Sequence, residues 1–194
     1  MPNPTGQINQ AWRDRAIRAA VRLLQTEAIA ACTTTAIAET AALTPGQLSE
    51  AFADPEEIIE LALRCFAEQF LDEVSDGAAR ASDPLAALWA ASETYLRLAL
   101  SHRSRLPICG FAEPTRPGRE GRENPALEVH VRAEAFFSNL MTATGVPRGA
   151  ALGAAWIAAL DGFVTRYDAA PRPIATMLET LSAAFALPFA TVVG

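Results

Sequence analysis

The chain has 194 residues, 51% of them hydrophobic and 20% charged, with a formal net charge of −6. A chain of this length buries about two-thirds of the surface that its unfolded form exposes, and its composition excludes intrinsic disorder. Alanine supplies about a fifth of the residues, while strand-length runs of Val, Ile and Thr are missing, so helices are favoured. All sixteen basic residues are arginine. An acidic chain repels nucleic acid overall, and any such binding must come from a local patch. Three cysteines with no Cys-x-x-Cys pair fit a reducing compartment. The polar start MPNPTGQINQ lacks a signal-peptide pattern. The longest apolar run, Ala150 to Leu160, falls short of the roughly 18–20 residues of a membrane span. The expectation is a cytoplasmic protein without a membrane partner.

Ile17, Ala20, Val21 and Leu24 recur at helical spacing and predict a helix over about 9–27. Short helices are expected at 33–40 and 44–51. The second opens on Thr44-Pro45-Gly46-Gln47, a capping-box pattern with proline at the first helical position. Asp54-Pro55-Glu56-Glu57 opens a long fourth helix carrying Ile58, Leu61, Ala62, Cys65 and Phe66, then Phe70 and Val74. Asp83-Pro84 starts the next, with Leu85, Leu88, Trp89, Ser92, Leu96 and Leu100 on one face. Residues 104–124 carry three prolines and three glycines among arginines and glutamates, and read as a loop. Asn124-Pro125 opens a stretch at about 125–143, followed by periodic stretches at 148–167 and 172–187. The expected fold is all-α with about nine helices. A three-helix domain over 1–54 is joined by the long fourth helix to a helical bundle within 55–194.

The segment from Thr33 to Phe52 holds two helices and a short turn, with Ile37, Ala38, Leu43, Leu48 and Phe52 spaced to pack on a neighbour. That is a helix-turn-helix, whose second helix can lie in a major groove. From Ala16 to about Leu61 the chain resembles the N-terminal domain of TetR-family transcriptional regulators. The matching features are Thr33, Ile37-Ala38, Thr44-x-Gly46-x-Leu48, Phe52 and Glu56-x-Ile58. Ala154 to Phe163, with Leu160-Asp161-Gly162, resembles the family's penultimate helix. The resemblance implies a regulator, expected to be a repressor, that binds a palindromic operator in double-stranded DNA as a homodimer. Thr33 and Thr44 would then contact phosphates, while Gln47 and Ser49 on the turn of Pro45 and Gly46 would face base edges. Arg18, with Arg13, Arg15 and Arg22, would add phosphate contacts.

This chain departs from the family pattern at five places. Ala28 stands before the second helix and Ala42 in the turn, where the family has glycine. Ser49 replaces a tyrosine, Ala51 a histidine or tyrosine, and Pro55 a phosphate-binding lysine. No basic residue lies between Ala28 and Pro55, and residues 1–55 hold four arginines against five carboxylates. A second reading follows: the same fold without operator binding, acting as a small-molecule-binding, partner-binding or, last in order, catalytic protein.

The resemblance also implies an effector pocket in the C-terminal bundle and a dimer interface on its last two long helices. Trp89, Tyr95, Phe111, His130, Phe136 and Trp156 are the pocket candidates for an apolar small molecule, although aromatic residues at helical spacing are more often plain core. Ala151, Ala155 and Ala158 would let a partner helix approach closely, and Leu178, Leu181 and Phe185 give the last helix an apolar face. His130 and Glu134 lie four apart, and a metal site would further need His102 or Cys109; no cofactor is expected. Cys65 reads as core and Cys109 as the more accessible thiol. No nucleophile elbow, Walker loop, dinucleotide fingerprint or zinc-protease motif appears, so an enzyme is not expected.

Overall fold

The computed structural model describes residues 4–27, 31–102 and 125–187. Every regular element among them is a helix, giving the all-α class expected with eight helices rather than nine. They are α1 (Pro4–Thr26), α2 (Thr34–Ala41), α3 (Pro45–Ala51), α4 (Pro55–Ala79), α5 (Pro84–His102), α6 (Pro125–Ala143), α7 (Gly149–Arg166) and α8 (Ile174–Phe185). The expected loop at 104–124, with Phe111 and Cys109, lies outside the described residues. No described helix is long and apolar enough to cross a membrane. Contacts divide the chain into two units, the first running to Ala67 and the second starting at Glu68.

In the first unit, local chemistry sets the helix boundaries. Thr33 is extended, and its hydroxyl accepts the Ala36 N–H at 3.2 Å, so α2 starts there. The helix stops where Ala42 turns into the left-handed region at φ 51° and ψ 47°. The Leu43 N–H then reaches back to the Ala38 carbonyl at 2.9 Å, and the Ala42 N–H to that of Glu39 at 3.1 Å. This paired closure satisfies carbonyls that the helix end would leave orphaned. Thr44 and Gln47 form the expected box: the Thr44 hydroxyl accepts the Gln47 N–H at 3.2 Å, and Gln47 Oε1 accepts the Thr44 N–H at 2.9 Å. Asp54 caps α4 through the Glu56 N–H at 2.9 Å.

Both short helices pack on α1, whose Ala16, Ala20 and Leu24 are fully buried. Ile37, Leu48, Phe52 and Ile58 are buried as well. Each such large side chain contributes about 1.5–3 kcal/mol by leaving water, far more than two isolated helices of two turns could gain by themselves.

The second unit is a bundle whose closest helix pair is α6 and α7. Gly149 and Gly153, one turn apart, admit α6: a Cβ on Gly149 would sit 2.7 Å from the Thr142 backbone, and one on Gly153 2.6 Å from the Ser138 nitrogen. The Ser138 hydroxyl donates to the Ala150 carbonyl at 3.0 Å across the same contact. Part of the small-residue pattern of α7 therefore serves packing within one chain. The core behind it gathers Phe70, Leu88, Leu96, Phe137, Met141, Trp156, Ile157 and Leu160.

Candidate functional site

The arginines of α1 fall into two classes. Arg13 and Arg15 turn toward the protein. Arg13 donates to the Ala51 carbonyl at the end of α3 at 2.7 Å and to Glu57 at 2.5 Å, and its guanidinium lies 4.3 Å from the centre of the Phe52 ring. Arg15 donates to the carbonyls of Ala41 and Ala42, at 2.6 and 3.0 Å. A cation at a helix C-terminus offsets the negative end of its dipole, so each arginine closes one helix of the pair. Arg13 and Arg15, two of the expected phosphate contacts, are turned toward the protein by these bonds. The side chains of Arg18 and Arg22 are exposed and make no hydrogen bond or ion pair among the described residues.

Thr33, Thr44, Pro45, Gly46 and Ser49 lie together on the exposed starts and outer side of α2 and α3. The two threonine hydroxyls act as caps, each with oxygen lone pairs left over. Gln47 is half-buried, and its carbonyl oxygen is engaged by the cap. Pairing both its groups with adenine requires that oxygen, so base reading and capping compete. Ser49 donates to the Pro45 carbonyl at 3.0 Å. Burial pushes the Cys32 thiol, just before α2, above its ordinary value of 9.0, and the carboxylate of Glu27 adds to the shift.

In the second unit Trp89, Tyr95 and Trp156 are all buried. The rings of Trp89 and Trp156 are centred 5.1 Å apart, Trp156 lies 4.9 Å from Phe185, and Tyr95 meets Phe70 edge-on at 5.2 Å. Phe136 is half-buried against Phe137 at 5.5 Å. Two buried polar groups thread this aromatic core. Ser92 accepts the Trp156 indole N–H at 2.9 Å and donates to the Leu88 carbonyl at 2.7 Å. Asp161 accepts the Tyr95 hydroxyl at 2.5 Å, while its other oxygen lies 3.7 Å from His130 Nδ1. Asp161 thus links α5, α6 and α7, and His130 opens this polar cluster toward solvent with 29% of its side chain exposed.

Neither Asp161 nor Ser92 stands among the residues singled out from sequence as a site. The available signal was a carboxylate directly after the apolar run Ala150–Leu160, since a charge placed in such a helix needs a partner. The carboxylate facing His130 Nδ1, at 3.7 Å, is that of Asp161 rather than that of Glu134. No group of three His, Cys, Asp or Glu able to hold a metal occurs among the described residues.

Ala151, Ala155 and Ala158 form an exposed stripe on α7. Leu178 and Leu181 point instead into the core of their own chain, at 3% and 1% exposure, and Phe185 is half-buried on Trp156. No family model matches the chain, and no curated protein matches it.

Proposed function

We propose that the chain is a ligand-responsive transcriptional regulator of the TetR type, a repressor that binds a palindromic operator as a homodimer. The observation that carries this reading is the α2–turn–α3 pair, capped by Thr33 and Thr44 and fixed on α1 with both helix starts exposed. Such a pair can offer α3 to a major groove, while Arg18, Arg22 and the threonine hydroxyls meet the phosphates on either side. Dimerisation uses the exposed Ala151, Ala155 and Ala158 stripe, and a two-fold pair of reading heads requires a palindromic site. The effector is an apolar small molecule in the second unit, with the Asp161–His130 pair as its polar anchor. Its binding shifts the protein between two arrangements that differ in operator affinity. A mobility-shift titration against DNA from the gene's own upstream region, with competitor DNA, tests this. A specific complex supports the regulator, whereas its absence there and with a random-sequence pool rejects it.

A second reading is favoured by the inward turn of Arg13 and Arg15 and by the capped Gln47: the same fold without operator binding, acting through a small molecule or a partner protein. Failure of the DNA titration, together with ligand binding by the intact chain, supports this reading.

A further inference from the structure

The side chains on the outer side of α3 have part of their hydrogen-bonding capacity already spent. Leu48 and Ala51 are buried, while Gly46, Ser49 and Glu50 are exposed and Gln47 is half-buried beside them. Whatever meets the Thr44 N–H at 2.9 Å must be an acceptor, so the Gln47 amide is held with its oxygen at the cap. Its NH2 group makes no hydrogen bond among the described residues and is what the side chain still has to offer. Ser49 gives its one hydroxyl proton to the Pro45 carbonyl at 3.0 Å and keeps only lone pairs. Glu50, ionised, is an acceptor alone, and it makes no hydrogen bond or ion pair among the described residues. No Lys or Arg occurs on α3. Gln47 and Glu50 are three residues apart, which makes them neighbours on the helix surface. Gly46, one turn before Glu50, adds no bulk: a Cβ there would meet only Thr44 Oγ1, at 3.9 Å. The backbone can therefore come close to base edges at this point.

We propose that Gln47 and Glu50 together read one G·C base pair in each operator half-site, Gln47 donating to guanine and Glu50 accepting from the N4 amino group of cytosine. This inference rests on the operator-binding reading above and names the base pair that α3 selects. In the major groove guanine presents two acceptors, N7 and O6, and cytosine presents one donor. A donor beside an acceptor matches O6 and N4 of that pair. Adenine opposite Gln47 would need the oxygen that the cap holds, and freeing that oxygen would orphan the Thr44 N–H at the helix start. A T·A pair also sets an acceptor beside a donor, but it fits less well. Thymine offers Gln47 one acceptor instead of two, and adenine N7 turns a lone pair toward the Glu50 carboxylate. The phosphates repel Glu50 whatever the sequence, so this residue lowers affinity generally and contributes discrimination instead.

The test is enrichment of a random-sequence duplex pool by the full-length protein, followed by sequencing, for the wild type and two variants. Gln47→Glu keeps an acceptor for the Thr44 N–H, and with it the capping box, but replaces the NH2 donor by an oxygen. Glu50→Ala removes the carboxylate at an exposed position. The wild type should enrich a palindrome. Both variants should lose about tenfold in preference at the same single base pair of each half-site, a G·C pair in the wild-type motif. Glu50→Ala should also bind unrelated duplex severalfold more tightly, whereas a merely structural role would leave base preference unchanged. A wild-type motif that neither variant alters, or variants that act at an A·T pair or at different positions, would overturn this inference and leave the regulator standing. No enriched motif from the wild type would overturn both.

Discussion

Arg15 holds the strained end of α2: its guanidinium donates to the carbonyl of Ala42, the residue whose φ of 51° is left-handed, as well as to that of Ala41. An L-residue with a Cβ carries a penalty of about 1–2 kcal/mol in that region, and glycine does not. Ala42→Gly is therefore expected to stabilise the protein by about 1 kcal/mol, the penalty being partly offset by glycine's freer unfolded chain. In a chain of this size that raises the melting temperature by about 2–4 °C. A lower melting temperature would show that Ala42 is not strained.

Arg13 and Arg18 sit five residues apart on α1, yet removing them should have different consequences. Arg13→Ala loses a bond to the Ala51 carbonyl, the Glu57 pair and the stack on Phe52, at a cost of about 2 kcal/mol in a urea titration. Arg18→Ala removes an exposed side chain and should change stability by less than about 0.5 kcal/mol. Because Glu57 is 38% exposed, its coupling to Arg13 in a double-mutant cycle should stay below about 1 kcal/mol. Equal destabilisation by the two arginine variants would contradict the inward role of Arg13.

Tyr95→Phe deletes the hydroxyl that donates to the buried Asp161 carboxylate and leaves an acceptor less satisfied. The expected loss is about 1–3 kcal/mol. Trp156→Phe removes the donor to Ser92 along with part of a fully buried ring, and should cost at least as much. Denaturant midpoints unchanged in both variants would mean that the polar pairs carry no stability.

Cys32 provides a prediction about pH. Its thiol is held above the ordinary 9.0 by burial and then by Glu27, so the folded state keeps its proton where the unfolded state loses it. Below about 9 both states are neutral and the contribution is fully present. As pH rises through 9.0 toward the folded value, the unfolded state binds fewer protons and stability falls. Alkylation of native Cys32, followed by peptide mass, should therefore keep rising with pH beyond 9.0. A rate that levels off at or below 9.0 would contradict the shift.

The caps were legible in the sequence because capping joins residues two or three apart. Thr33, Thr44 with Gln47, Asp54 and Asp83 all start helices where spacing placed them. The arginines were not, because the direction of Arg13 and Arg15 depends on where two other helices end in space. The small residues Ala151, Ala155 and Ala158 announced a close helix contact on α7, but no local rule says whether the approaching helix belongs to the same chain, and Gly149 and Gly153 on that helix admit α6. Leu178 and Leu181 show the same ambiguity, since an apolar helix face fits its own core as well as a partner. Asp161 needed tertiary structure, because its partners Tyr95 and His130 lie on other helices.

Operator binding by a reading head with two outward arginines, as proposed, is open to measurement through the salt dependence of its affinity. A dimer using Arg18 and Arg22 from each protomer should give a slope of log K against log salt of roughly −4. The Arg18→Ala, Arg22→Ala double variant should flatten that slope toward zero and weaken binding without loss of fold. A slope of roughly −7, as all four arginines of each protomer would give, would contradict the inward roles of Arg13 and Arg15. Absence of any specific complex at low salt would contradict the regulator itself.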